Sequence, residues 1–334
     1  MKHKILVTGA GGYIGSVAAY LFLQNGYEVV ALDNLCTGYK SPLDILKEKF
    51  SEKFRFYESD LTNSSSVFQK ESGIEAVAHY AASCLVDESM KNPGKYFSNN
   101  VGGTNALLTA MTDAGVNKIV FSSTCAVYGE AQYMPIDEKH PLSPTTPYGA
   151  SKKMVEEMIA WYGRLKGLKY MILRYFNVCG ASDDGLIGDS KKPSSLLMQN
   201  AVRGALGIGP FSLTCPEVDT PDKTPIRDYV NVVDLNEAHL KGLEHLFAGK
   251  DNNTINLGTG TGNSVLEIVN KVKDITGATF HIGKSAPREG DDAKKIANIT
   301  KAKEVLGWEP KRTIEDSVKS LTAWYRTHPH GWEK

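Results

Sequence analysis

Neither sign of charge dominates this chain of 334 residues: 38 Lys and Arg stand against 38 Asp and Glu. That balance supplies no global field to draw a nucleic acid or an anionic membrane, so anionic ligands must be held by local arrangements. Cysteine is scarce and scattered. The five, Cys36, Cys84, Cys125, Cys179 and Cys215, form no C-x-x-C pair, which argues against a disulfide framework and against a zinc site. No apolar run approaches the ~20 residues needed to span a bilayer. There is no repeat, coiled coil or low-complexity segment. The strand-like KILVTG begins after three residues, leaving no room for a signal peptide. The expectation is a reduced, cytoplasmic protein with no metal and with neither nucleic acid nor membrane as partner.

Short apolar runs alternate with longer amphipathic stretches. Strands are expected at KILVTG (4–9), EVVALD (28–33), FRFYESD (54–60), EAVAHYA (75–81), KIVFSS (118–123) and YMILRYF (170–176). Their nearly unbroken apolar character suits strands covered on both faces. Helix-like segments fall at 12–25, 64–71, 93–114 and 147–166. Such alternation implies right-handed crossovers and an α/β, Rossmann-type, doubly wound parallel sheet. After Asn177 the chain becomes rich in Gly, Pro and Ser, with one good helix near 194–206. The segments 231–247 and TINLG (254–258) return to the sheet, and a helix, a short strand and the loop SAPREGDDAKK follow. The expected division is residues 1–177 plus about 231–261 as one domain. Residues of about 178–230 plus 262–334 form a smaller, interleaved C-terminal substrate-binding α/β lobe.

TGAGGYIGS, Thr8 to Ser16, carries glycines in a G-x-x-G-x-x-G register through Gly9, Gly12 and Gly15. A strand precedes it and a helix follows, so its amides and the helix N-terminus can face a pyrophosphate. Asp33 ends the next strand, where an acid hydrogen-bonds a ribose diol. A carboxylate there repels a 2′-phosphate, which favours NAD over NADP. Asp60 ends the third strand, either at an adenine edge or as a helix cap for LTNSSS.

PYGASKKMVEEM places Tyr148 and Lys152 four residues apart, on one face of a helix. A lysine beside a phenol and a nicotinamide ribose favours the phenolate, turning a group of ordinary pKa ~10 into a base. The strand end KIVFSSTCAVYG offers Ser122, Ser123 and Thr124 as hydroxyl partners, at the carboxyl ends of strands where ligands bind in such sheets.

The glycine register, Asp33, the Ser/Thr strand end and Y-x-x-x-K together resemble the extended short-chain dehydrogenase/reductase family. More narrowly, the chain is similar to the UDP-glucose (UDP-galactose) 4-epimerases and close nucleotide-sugar epimerases. The likeness runs through VTGAGGYIGS, LDNLCTG, NNVGGT, FSSTCAVYG, PYGASK, LRYFNVCGA, RDYVNVVDL, NLGTG and REGDDAKKIAN. It implies NAD as a tightly bound cofactor, a UDP-sugar as substrate and a homodimer. It implies Gly9, Gly12, Tyr13, Ile14 and Gly15 at the pyrophosphate, Asp33 and Asn34 at the adenosine ribose, and Asp60 and Leu61 at the adenine. Tyr80, Ala81, Ala82, Asn99, Ser122, Lys152 and Tyr175 would complete the cofactor cleft. For the nucleotide sugar it implies Asn177, Ser195, Leu196, Arg227, Arg288 and Asp291. Arginines suit a diphosphate through charge-assisted hydrogen bonds. Thr124, Tyr148 and Lys152 would be catalytic.

Three positions depart from the pattern. Ser83-Cys84 stands where some epimerases carry a lysine, Leu213-Thr214-Cys215 replaces an aromatic-glycine pair, and Lys295 stands where residue size affects acceptance of an N-acetyl group. A nucleotide-sugar dehydratase needs an acid and a base beside the threonine, but Cys125 and Ala126 follow Thr124. Decarboxylation is argued against more weakly. Epimerases of UDP-N-acetylglucosamine, UDP-glucuronate or UDP-xylose remain alternatives, as does a NAD-binding regulatory protein on the same fold.

Overall fold

The computed structural model describes residues 3–192, 194–285 and 293–332. Seven parallel strands form the central sheet: β1 (Lys4–Thr8), β2 (Glu28–Asp33), β3 (Phe54–Glu58), β4 (Ile74–His79), β5 (Lys118–Thr124), β6 (Lys169–Tyr175) and β7 (Asn253–Leu257). Their spatial order is β3-β2-β1-β4-β5-β6-β7. The chain reverses its direction of travel between β1 and β4, which opens a crevice at their carboxyl ends. Each strand lies at or within a residue or two of its expected position.

The unbroken apolar strands serve two cores at once. In β1, Ile5 and Val7 face one layer while Leu6 faces the other, as alternation along a strand requires. The helices Tyr13–Gln24 and Val232–Phe247 cover the first face. Gly103–Asp113 and Pro147–Lys166 cover the second.

The second lobe has small sheets of its own. Asn177–Cys179 pairs with Tyr229–Asn231, and Phe211–Leu213 with Ile282–Lys284. Ile226–Arg227 lies between Asn263–Ser264 and Lys294–Lys295. Helices Leu197–Ala205, Val265–Thr276 and Ile314–Thr327 enclose a core around Val202, Phe211, Val269, Leu321 and Trp324.

The expected helix at 93–114 is divided. Pro93–Tyr96 runs into a π-helical turn, Phe97–Gly102, before Gly103–Asp113 resumes α-helical geometry. Such bulges concentrate at functional sites, and here the buried Asn100 gives the reason. Its amide donates to the Ser83 carbonyl at 3.0 Å and to the Ser151 hydroxyl at 3.0 Å, and its Oδ1 accepts from the Ser83 amide at 2.8 Å. The bulge ties the loop after β4 to the Pro147–Lys166 helix. The short helices Ser41–Lys49 and Val86–Lys91 were not expected from periodicity, nor were Thr300–Leu306 and Ile314–Thr327.

Candidate active site

A cleft of about 1170 Å³ lies at the carboxyl ends of β1, β4, β5 and β6, with the second lobe as its other wall. Gly9 leaves β1 with φ +70°, and a Cβ on it would stand 2.6 Å from the Ala81 amide nitrogen. A Cβ on Gly15 would stand 2.1 Å from the Gly9 carbonyl oxygen. Both positions are closed to any side chain, so the loop stays thin and its amides reach the cleft. Gly12 caps the Tyr13–Gln24 helix in extended geometry with no side chain in the way. This bare helix N-terminus, lined by Gly9, Gly12, Tyr13, Ile14 and Gly15, suits the pyrophosphate of a dinucleotide.

Asp33 lies at the cleft edge beyond β2. Its Oδ2 accepts from the Gly11 amide at 2.9 Å and its Oδ1 from the Leu35 amide at 2.8 Å. Burial pushes its carboxyl above the ordinary range, against the pull of those two amides. A carboxylate has further lone pairs for a ribose diol, so Asp33 both clamps the glycine loop and can bind sugar hydroxyls. Gly11, which the three-residue register skips, is the loop residue that Asp33 holds. Asn34 donates to Asp60 at 2.8 Å, and Asp60 also caps the turn Leu61–Asn63 by accepting from the Thr62 amide at 3.0 Å. That amide is the largest influence lowering the Asp60 pKa. The cap and the cleft-lining position coexist: Asn34, Asp60 and Leu61 all face the cleft.

Tyr80, Ala81 and Ala82 line the cleft beyond β4, with Asn99 from the π-helical turn and Tyr175 from the end of β6. Tyr80 donates to Asn236 at 3.0 Å and stacks on His239 at 4.8 Å. Ser122 does not line the cleft. It lies behind, 1% exposed, with its hydroxyl donating to the Tyr175 hydroxyl at 3.2 Å.

Tyr148 and Lys152 belong to the first turns of the Pro147–Lys166 helix. Thr146 caps that helix by accepting from the Gly149 amide at 3.2 Å, and Pro147 follows at its first position. Both side chains are buried yet reach the cleft, opposite Thr124 at the end of β5. Burial, with Tyr175 and Cys84 adding to it, pushes the Tyr148 phenol well above its ordinary value, while hydrogen bonding with Thr124 pulls it back. Burial lowers Lys152 to about 8 although Cys84 and Glu156 oppose the fall. Its ammonium donates to the Ser122 carbonyl at 2.9 Å and lies 4.7 Å from the Phe121 ring centroid. One turn on, Glu156 forms a buried ion pair with Arg174 at 2.5 Å and accepts from the Ser123 hydroxyl at 2.5 Å.

Asn177, at the end of the first domain's run, and Ser195, Leu196 and Arg227 from the second lobe line the cleft, together with Lys295. Arg227 and Lys295 are register partners on adjacent strands. Arg288 and Asp291 lie outside the described residues. Leu213 packs against the second lobe's core. Sequence reading passed over Lys191, whose ammonium lies 3.0 Å from the Cys84 sulfur inside the same cleft. No motif surrounds it, and the only available signal was its lysine identity between two small-residue stretches. Among the described residues no helix is long and apolar enough to cross a membrane.

Residues 5–258 match the NAD dependent epimerase/dehydratase family. The chain is 41% identical over 334 residues to a UDP-glucose 4-epimerase of Lactobacillus helveticus, covering 99% of each. A UDP-glucose 4-epimerase structure from Bifidobacterium longum in complex with NAD+ and UDP is similar at TM-score 0.92 and 32% identity, with 98% of this chain and 100% of that one covered. One from Brucella ovis in complex with NAD is similar at TM-score 0.90 and 36% identity, with 99% of each covered. With residues 5–258 matching the family and relatives about 40% identical over its full length, the chain belongs to the NAD dependent epimerase/dehydratase family.

Proposed function

We infer that the chain is a UDP-glucose 4-epimerase, an isomerase that inverts C4 of a UDP-hexose, interconverting UDP-glucose and UDP-galactose. The observation that carries this reading is a hydroxyl, a phenol and an ammonium, Thr124, Tyr148 and Lys152, facing the same cleft as the glycine loop. When bound, NAD would supply the hydride acceptor and donor for sugar C4, and its positive charge would offset the burial penalty on a Tyr148 phenolate. Tyr148 takes the proton of the 4-hydroxyl and gives it back, and Thr124 holds that oxygen. Lys152 keeps a cation beside the reacting groups. Gly9, Gly12, Tyr13, Ile14 and Gly15 hold the pyrophosphate, Asp33 and Asn34 the ribose, and Asp60 and Leu61 the adenine. Tyr80, Ala81, Ala82, Asn99 and Tyr175 line the nicotinamide side, with Ser122 supporting Lys152 and Tyr175 from behind. Asn177, Ser195, Leu196, Arg227, Arg288 and Asp291 bind the UDP-sugar.

The same reading assigns residues 1–177 with about 231–261 to NAD, and about 178–230 with 262–334 to the nucleotide sugar. The separate core around Val202, Val269 and Trp324 supports that division. A homodimer is supported by the Pro147–Lys166 helix, where Met154, Trp161 and Leu165 are 44%, 53% and 71% exposed along one stripe. A cytoplasmic setting, which is reducing, suits five thiols with no disulfide among them.

The decisive experiment is NMR of the products from UDP-glucose, UDP-galactose, their N-acetyl forms, UDP-glucuronate and UDP-xylose. The expected result is the 4-epimer of UDP-glucose or UDP-galactose. Turnover of another sugar alone would move the assignment to that epimerase. Unchanged starting sugars with NAD bound would return the chain to a regulatory, NAD-binding role.

A further inference from the structure

Among the cations that line the cleft, three differ in what they hold. Lys152 donates to the Ser122 carbonyl at 2.9 Å, and Arg227 to the Ile226 carbonyl at 3.0 Å. Lys191, half-buried, has as its hydrogen-bond acceptor among the described residues the sulfur of Cys84, at 3.0 Å. A thiol sulfur is a weak acceptor, and an ammonium carries three donors. The nearby carboxylate of Asp189 accepts from the Lys191 main-chain amide at 3.1 Å and from the Ser194 hydroxyl at 3.3 Å, and acts on the Lys191 ammonium through its charge. Burial depresses the Lys191 ammonium, but Cys84, Asp189 and Tyr175 together outweigh burial and hold it above its ordinary value. It therefore stays charged, and among the described residues two of its three donors have no hydrogen-bond acceptor.

Its position decides what it can meet. Cys84 is three residues beyond Ala81, the residue whose amide closes on Gly9. The Cys84 loop thus runs along the rim of the cleft that begins at the glycine loop, and Tyr148 and Tyr175 both feel Cys84 electrostatically. Lys191 comes from the other wall, ahead of Ser195 and Leu196. A half-buried cation between two walls of a cleft shaped for dinucleotides and nucleotide sugars is placed to pair with an anionic group of a ligand.

We propose that Lys191 binds a diphosphate oxygen of a nucleotide in this cleft, reaching it from the second lobe beside Cys84. The proposal rests on the NAD and UDP-sugar reading of the site. Its consequence is that ligand binding ties the second lobe to the sheet through one ammonium. Two nucleotides carry the required group, the cofactor and the UDP-sugar, and binding measurements separate them.

The test uses the full chain with Lys191→Ala and Lys191→Gln. NAD retained per chain after desalting is read by absorbance of the nucleotide released on denaturation, and UDP affinity by titration calorimetry. Loss of one charge-assisted hydrogen bond is expected to weaken one of the two by about ten- to hundredfold. Loss of NAD with UDP affinity unchanged assigns the phosphate to the cofactor, and the reverse assigns it to the substrate. The double variant Lys191→Ala with Cys84→Lys brings an ammonium to the same place from the opposite wall, and is expected to restore most of the loss. Unchanged affinity for both nucleotides in both single variants would overturn the proposal. So would a loss that accompanies a lowered unfolding temperature and is not restored by Cys84→Lys. Both binding readouts are independent of turnover, so an inactive sugar panel would count against the epimerase reading and leave this test intact.

Discussion

The ammonium of Lys152 donates to the main-chain carbonyl of Ser122 at 2.9 Å, anchoring the Pro147–Lys166 helix to the end of β5. Burial of that ammonium is costly, and lowers its pKa from 10.5 to about 8. Between about 8 and 10.5 the unfolded chain binds more protons at this site than the folded one, so the lysine's contribution to stability rises with pH across that window. Below about 8 the penalty is present in full. Lys152→Met is expected to abolish turnover while leaving the unfolding temperature at neutral pH unchanged or raised. Calorimetry beside a rate assay checks both, and a strongly lowered unfolding temperature with activity retained would contradict the site.

Tyr148→Phe is expected to cost at least about 10²–10⁴ in kcat, the usual contribution of a general acid–base group, with NAD retention and circular dichroism unaltered. Thr124→Val removes the hydrogen bond that lowers the Tyr148 pKa. Its pH–rate profile should therefore move to higher pH, in addition to a fall in kcat. Thr124 also accepts from the Ala126 amide at 3.2 Å, so about 1 kcal/mol of stability should be lost with it. Full activity in Tyr148→Phe would sink the assignment.

Two buried histidines contribute a loss of stability on the acid side. His79, hydrogen-bonded to Thr8 at 2.7 Å and Thr104 at 2.8 Å, is lowered by burial, and secondarily by Lys152, to about 3. His239, beneath Tyr80, is lowered by burial to about 4. From pH 6.5 downward the unfolded chain takes up protons that the folded chain refuses, so stability falls as pH falls toward 3–4. Unfolding temperatures measured from pH 7 to pH 4 should decline steadily, and a flat profile would contradict the burial of both rings.

Glu156→Ala leaves Arg174 buried without its partner at 2.5 Å and strands the Ser123 hydroxyl. A loss of about 3–5 kcal/mol is expected in urea unfolding. Replacing both members, Glu156→Leu with Arg174→Met, should recover most of it, because the burial penalty of the remaining charge is removed.

Gly15→Ala forces a methyl to within 2.1 Å of the Gly9 oxygen, whereas Gly12→Ala leaves 3.3 Å to the same atom. The first variant should lose NAD on desalting and the second should keep most of it. Equal retention would mean that the loop is not the pyrophosphate cradle.

Read by itself, the sequence determined the layered α/β class, the seven sheet strands and the order of the motifs. Those features depend on local periodicity, on glycine, and on residues four apart on one helix. EVVALD as Glu28–Asp33 and PYGASK opening the Pro147–Lys166 helix are instances. Tertiary structure decided what distant segments share. Gly11 is held by Asp33 across 22 positions, and Asn100 joins Ser83 to Ser151 through a π-helical turn that no periodicity announces. Ser122, read as part of the cofactor cleft, is instead a support behind it. Burial, which a sequence does not display, pushes the Tyr148 phenol up, against the pull expected of the cations beside it. Lys191 meeting Cys84 across 107 positions is of the same kind. Spacing along the chain fixes which side chains share a helix face, whereas only packing fixes which charges share a cleft.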